Sequence, residues 1–225
     1  MELMHKTFEG LQYLIRHPEN YDSAKKYPVI LFLHGAGTRS SDITVLKNNS
    51  FWRNSSAFLD LDFITVAPLC ERETWCDHFE TLVRFVKALL AAPFVDPERL
   101  SLTGNSMGGY GTWQLAISHP ECFSAIAPLC GGGMYWDAGR LVNVPVWAFH
   151  GEKDSLVLPR ESKIMVERVN NCGGNAKLTL YPEAGHDCWT PTYQSRALSE
   201  WLLSHKNQNA KALVNEYEAG SAAFG

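Results

Sequence analysis

Apolar positions along this chain fall into two rhythms. The run Tyr27-Pro28-Val29-Ile30-Leu31-Phe32-Leu33 is apolar at almost every position, the mark of a strand covered on both faces. Similar runs at 63–68, 100–103, 124–129, 144–149 and 177–181 predict further buried strands, and residues 8–16, with partial alternation, predict a first one. Between them the spacing turns helical. Over 77–92 the residues Phe79, Leu82, Val83, Phe85, Val86, Leu89 and Leu90 form one broad apolar face, and Pro93 ends it. Helices are also predicted over 107–118, closed by His119-Pro120, over 160–171, stopped by Gly173-Gly174, and over 192–204. Asp96-Pro97-Glu98-Arg99 predicts a turn. Strand and helix alternate, which calls for an α/β fold with a mostly parallel sheet and helices on both faces.

This pattern fills residues 1–205 and predicts a single domain. Residues 206–225 are rich in Ala, Asn and Gly, lack a convincing apolar face and are expected to be a loosely held tail. About 15 residues separate the strands at 124–129 and 144–149, too few for a sizeable lid. The expected site is open and shallow.

Charge narrows the partners. With 20 basic and 24 acidic residues the net charge is −4, and no basic block appears, which argues against nucleic acid. The start, Met1-Glu2-Leu3-Met4-His5-Lys6, has no hydrophobic signal core, and no stretch is long enough to cross a bilayer; the expected location is cytoplasmic. The cysteines 70, 76, 122, 130, 172 and 188 have no metal spacing and are read as buried free thiols, with a Cys70–Cys76 bridge as the option in an exported protein.

The chemistry sits at strand ends. Gly104-Asn105-Ser106-Met107-Gly108 is G-x-S-x-G between a predicted strand and a predicted helix, the context that exposes a nucleophilic serine on a tight turn. A serine hydroxyl needs a base to take its proton and an acid to orient that base. Asp154 follows the strand at 144–149, and His186 follows the strand at 177–181. The order Ser106, Asp154, His186 assigns nucleophile, acid and base without a cofactor or metal. His34 and His150, each before a glycine at a strand end, are rivals for the base and more naturally brace their loops; Glu152 and Asp187 are rivals for the acid. The backbone N–H groups of Met107 and of Ala36, in His34-Gly35-Ala36-Gly37, are candidate donors to an oxyanion. Trp189, Trp136 and Tyr135 are candidate substrate-binding residues, with Trp75 a further aromatic on a loop that could reach the pocket.

Several stretches carry a family resemblance: 95–99 leading into Gly104-Asn105-Ser106-Met107-Gly108-Gly109-Tyr110-Gly111-Thr112-Trp113, then Pro145-Val146-Trp147-Ala148-Phe149-His150-Gly151 with Asp154, then Tyr181-Pro182-Glu183-Ala184-Gly185-His186 with Trp189. Over roughly Tyr27 to Leu203 the chain resembles the small α/β-hydrolase serine esterases: the phospholipase/carboxylesterase, dienelactone-hydrolase-like and prolyl-oligopeptidase-like groups, with feruloyl and acetyl-xylan esterases as relatives. The resemblance implies hydrolysis of a small-molecule carboxylic ester, of short-chain or aromatic acyl type, through an acyl-enzyme. A polysaccharide esterase, a serine peptidase and a non-catalytic hydrolase-fold receptor are the alternatives. Two departures stand out: Asn105 where the pattern expects Leu or Phe, and Ser155-Leu156 where it expects Pro-Val. Dienelactone hydrolases proper carry cysteine where this chain has Ser106.

Overall fold

The computed structural model describes residues 2–54 and 60–217. Its single sheet has eight strands in the order β1-β2-β4-β3-β5-β6-β7-β8. These are β1 (Met4–Phe8), β2 (Leu11–Arg16), β3 (Tyr27–Leu33), β4 (Ile64–Pro68), β5 (Val95–Asn105), β6 (Ala125–Leu129), β7 (Val146–Gly151) and β8 (Ala176–Tyr181). The pairs β1–β2 and β2–β4 are antiparallel, and all others are parallel. The run 8–16, predicted as one strand, therefore holds the end of β1, the turn of a hairpin and its second arm, β2. Glu9 (φ 46°) and Gly10 (φ 84°) make the left-handed turn that joins its strands.

Side-chain alternation divides the core between the two sheet faces. Val29, Leu31 and Leu33 of β3 join one apolar cluster, with Phe85 and Leu89 of α3 (Phe79–Ala91), Trp113 of α4 (Met107–Ser118) and Met165 of α5 (Arg160–Asn171). Ile30 and Phe32 join the other, with Leu46 of α1 (Thr44–Lys47), Phe51 of α2 (Ser50–Asn54), Tyr193 of α6 (Trp189–Gln194) and Leu202 of α7 (Arg196–Ser204). The predicted helix over 192–204 is thus two helices. Ser195 is extended between them (φ −81°, ψ 116°), which lets Tyr193 turn inward to meet the Thr103 hydroxyl at 3.1 Å.

The expectation of a loose tail is corrected for its first part. Residues Ala210–Tyr217 form α8, which packs against α3 and β5. Asn207 fastens the approach: its N–H donates to the Glu98 carbonyl at 2.8 Å and its Nδ2 to the Glu121 carbonyl at 2.6 Å. Ala210 is fully buried, and Lys211 pairs with Glu98 at 2.9 Å. The remainder of the tail, 218–225, lies outside the described residues. All six cysteines are free; Cys70, Cys122, Cys130 and Cys188 are buried, whereas Cys76 and Cys172 are exposed, so Cys70 and Cys76 form no bridge.

Candidate active site

The carboxyl ends of the parallel strands bring the predicted groups together. At the end of β5 the chain turns so sharply that Ser106 adopts φ 56°, ψ −119°. Such a conformation costs a non-glycine residue about 1–3 kcal/mol and persists only where the surroundings enforce it. Here they do. The Ser106 N–H donates to the Leu129 carbonyl at 2.9 Å, and its carbonyl accepts from the Tyr110 N–H at 3.0 Å. A side chain at Gly104 or Gly108 would run into the backbone, at the Gly108 carbonyl and the Leu33 carbonyl respectively. Glycine at both positions lets β3, β5 and α4 meet at the elbow.

Asp154 lies just past β7 and His186 just past β8. Their loops touch because Gly151 has no side chain: a Cβ there would strike the carbonyls of Ala184 and Gly185. The Glu152 and Lys153 N–H groups donate to the carbonyls of Tyr181 and Ala184, both at 2.9 Å. With the loops fixed, His186 Nδ1 stands 2.7 Å from Asp154 Oδ2 and His186 Nε2 stands 2.9 Å from Ser106 Oγ. A carboxylate only accepts, so Nδ1 carries the proton and Nε2 is left to accept from the serine hydroxyl.

Asp154 is almost wholly buried. Burial pushes its pKa up, but hydrogen bonds from His186 and from the Val157 and Leu156 N–H groups outweigh that effect, and the net shift is downward. The rivals go elsewhere. Glu152 is exposed, and Asp187 accepts from the N–H and hydroxyl of Thr190 at 2.9 and 2.8 Å, at the start of α6. His34 braces its loop: Nδ1–H donates to the Gly35 carbonyl at 2.8 Å, and Nε2 accepts the Cys70 N–H at 2.9 Å. Burial lowers its pKa to about 4. His150 is also fully buried; its ring nitrogens meet Ser162 Oγ and the Val157 carbonyl, both at 2.8 Å, and it is His186 that meets Ser106.

Ala36 opens a short 3-10 turn (Ala36–Thr38) and Met107 opens α4; neither start has a side-chain cap. The first N–H groups of a helical turn have no acceptor within it, so both can serve an anion. Both residues border the same apolar cavity of about 580 Å³, whose wall also holds Trp75, Tyr110, Gly132 and Met134. A second cavity, about 440 Å³, holds Ser106 and His186 themselves, with Trp189, Asn105, Thr38 and Leu156, and shares Ala36 with the first.

Of the predicted aromatics, Trp189 lines the site, its ring edge-on to His186 with centroids 5.3 Å apart. Tyr135 and Trp136 do not. They are exposed, pack on each other and border neither cavity; the 3-10 segment Tyr135–Leu141 buries Ala138 and Leu141 instead, and Met134 takes the wall position. Sequence reasoning missed Tyr110 and Met134. A tyrosine four residues past the nucleophile, one turn along α4, was the available signal for the first.

A family-wide pattern described as "Dienelactone hydrolase family" matches residues 71–218. "Probable feruloyl esterase C" of Aspergillus terreus is 26% identical over 189 residues, covering 80% of this chain and 68% of its own length. "Dipeptidyl-peptidase 5" of Porphyromonas gingivalis is 21% identical over 220 residues, and the chain spans 32% of it. A crystal structure described as a thermostable esterase superposes with a TM-score of 0.82 at 29% identity, covering 91% of this chain and 63% of that one. Est1E of Butyrivibrio proteoclasticus, with ferulic acid bound, superposes with a TM-score of 0.68 at 15% identity, over 89% of this chain and 98% of that one, and supports the fold alone. The relatives and structural neighbours are thus esterases and peptidases, and the chain belongs to the dienelactone hydrolase family, on the α/β-hydrolase fold.

Proposed function

We propose that the protein is a serine carboxylesterase acting on short-chain or aromatic acyl esters. The observation that carries this reading is the hydrogen-bonded chain Ser106–His186–Asp154, set beside two uncapped helix starts. As His186 Nε2 takes the Ser106 proton, Oγ bonds to the ester carbonyl carbon and the carbonyl oxygen becomes an oxyanion against the N–H groups of Ala36 and Met107. His186, now charged against Asp154, returns the proton to the departing alcohol. A water then repeats the sequence in reverse and frees the acid.

The cavities suggest where each half of the ester lies. The leaving alcohol must be within reach of His186, and the presence of His186 in the wall of the cavity with Trp189 and Asn105 supports that cavity for it. The acyl group takes the neighbouring apolar cavity beyond Ala36 and Met107. The match to feruloyl esterases supports an aromatic acyl group there. The match to a dipeptidyl peptidase favours amide cleavage as a second reading. Assays of ester and amide analogues with one acyl group separate them, and Ser106→Ala should abolish whichever activity is found. Wild-type turnover by folded Ser106→Ala would end the proposal.

A further inference from the structure

Asp154 is touched by two histidines. Its Oδ1 accepts the N–H groups of Leu156 and Val157 at 2.9 and 3.0 Å. Its Oδ2 accepts from His186 Nδ1 at 2.7 Å and faces His150 Nε2 at 3.3 Å. An ionised carboxylate offers about four lone-pair sites. Three N–H groups are hydrogen-bonded to them, from Leu156, Val157 and His186, and His150 Nε2, 3.3 Å from Oδ2, stands beside the remaining site.

His150 is itself held at both ends. Its Nε2 lies 2.8 Å from the Val157 carbonyl, which can only accept, so Nε2 carries a proton and shares it between that carbonyl and Asp154. Its Nδ1 lies 2.8 Å from Ser162 Oγ, which in turn lies 3.0 Å from the Gly131 carbonyl. Burial favours the neutral ring and lowers the His150 pKa, against the opposing pull of Val157 and Asp154. The Ser162 hydroxyl has one proton to give: in the neutral ring, protonated at Nε2, Nδ1 accepts that proton at 2.8 Å in place of the more distant Gly131 carbonyl. Asp154 also lies close enough to Tyr110 and Cys130 to raise both, on top of the larger effect of burial, which keeps them uncharged.

We propose that His150 is a positioning residue for the proposed reaction: its Nε2–H fills the last acceptor site of Asp154, and Ser162 fixes the ring that presents it. This rests on the assignment of Asp154 and His186 as acid and base. The carboxylate is thereby held in the plane that His186 needs, and part of its charge is drawn toward His150. Without that donor, more negative charge faces His186, and the base is held in its protonated form to a higher pH.

The test compares His150→Leu, which removes the donor, with His150→Gln, whose Nε2 can restore it. Orienting partners of this kind typically cost about 10–100-fold when lost. For p-nitrophenyl butyrate, His150→Leu should lose that much in kcat with little change in KM. The acid limb of its kcat/KM profile should move to higher pH, and His150→Gln should recover most of both effects. Wild-type kcat and an unmoved acid limb in His150→Leu would overturn the proposal, as would equal impairment of the two variants. If His150→Leu does not fold, Ser162→Ala carries the test: the ring loses its anchor, and kcat and the acid limb should shift the same way by a smaller amount; no shift overturns it. The low-field proton resonance of the His186–Asp154 bond gives a readout that needs no substrate. It should move in His150→Leu and return in His150→Gln, and its failure to move counts against His150 even if the esterase reading itself fails.

Discussion

Asp154→Asn changes the size of the side chain by almost nothing and should all but silence the enzyme. The amide must choose an orientation. Oδ1 accepts two backbone N–H groups, from Leu156 and Val157, so the carbonyl oxygen of Asn stays there. The NH2 group then points at His186 Nδ1, 2.7 Å away, and at His150 Nε2. An NH2 group donates, so His186 must accept at Nδ1 and move its proton to Nε2. Nε2 can then no longer accept the Ser106 proton, although every atom stands where it did. A wrong tautomer of this kind lowers kcat by about 10,000-fold, or about 5.4 kcal/mol at 1.36 kcal/mol per tenfold. The assay is kcat for p-nitrophenyl butyrate, with circular dichroism to show that the fold is kept. A folded Asp154→Asn within about tenfold of wild type would refute the reasoning, because the carboxylate would then have no part in setting the tautomer.

Three other changes test other parts of the structure. Folded His34 titrates at about 4 rather than 6.5, so below pH 6.5 the unfolded chain binds a proton that the native state refuses. Its contribution is complete above pH 6.5 and is lost as pH falls toward 4, by about 3 kcal/mol at most; urea titrations should show this loss shrink in His34→Gln, and an unchanged slope with pH would contradict it. Asn105 has a buried Oδ1 with no partner among the described residues, so Asn105→Leu should raise stability by about 1 kcal/mol, read as a Tm increase of about 2–4 °C; a fall in Tm would show that the amide is satisfied. Cys76→Phe narrows the larger cavity, so KM for aromatic acyl esters should rise by about tenfold or more while that for acetate esters holds; parallel changes would place the acyl group elsewhere.

The parallel core of the fold was legible because strands covered on both faces must be apolar throughout, as Tyr27–Leu33 is. The order of Ser106, Asp154 and His186 was legible for a related reason. Loops after parallel strands share one rim of the sheet, so residues far apart in sequence meet there. What escaped depended on contacts that no local pattern encodes. The turn read at 96–99 belongs to a chain that stays in β5, because the pairing with β3 shifts between Tyr27/Val95 and Val29/Leu100 and absorbs the extra residues. Helix α8 has only Ala210, Leu213 and Val214 toward the domain among its described side chains, and its anchorage comes from Asn207 and Lys211, which read as solvated polar residues. Tyr135 and Trp136 have the chemistry of a substrate platform, but the 3-10 segment they begin buries Ala138 and Leu141 and leaves both aromatics exposed. The contact of His150 with Asp154 also lies beyond spacing alone: His150 braces its loop, and the same nitrogen that does so reaches the carboxylate.

The most direct measurement of the central claim is to treat the protein with a fluorophosphonate and map the modified peptide by mass spectrometry. A hydroxyl activated by His186 should carry the phosphonyl group on Ser106, at one equivalent per chain, and His186→Ala should remove the labelling. An unlabelled Ser106 in the folded wild-type protein, or labelling that His186→Ala leaves intact, would contradict it.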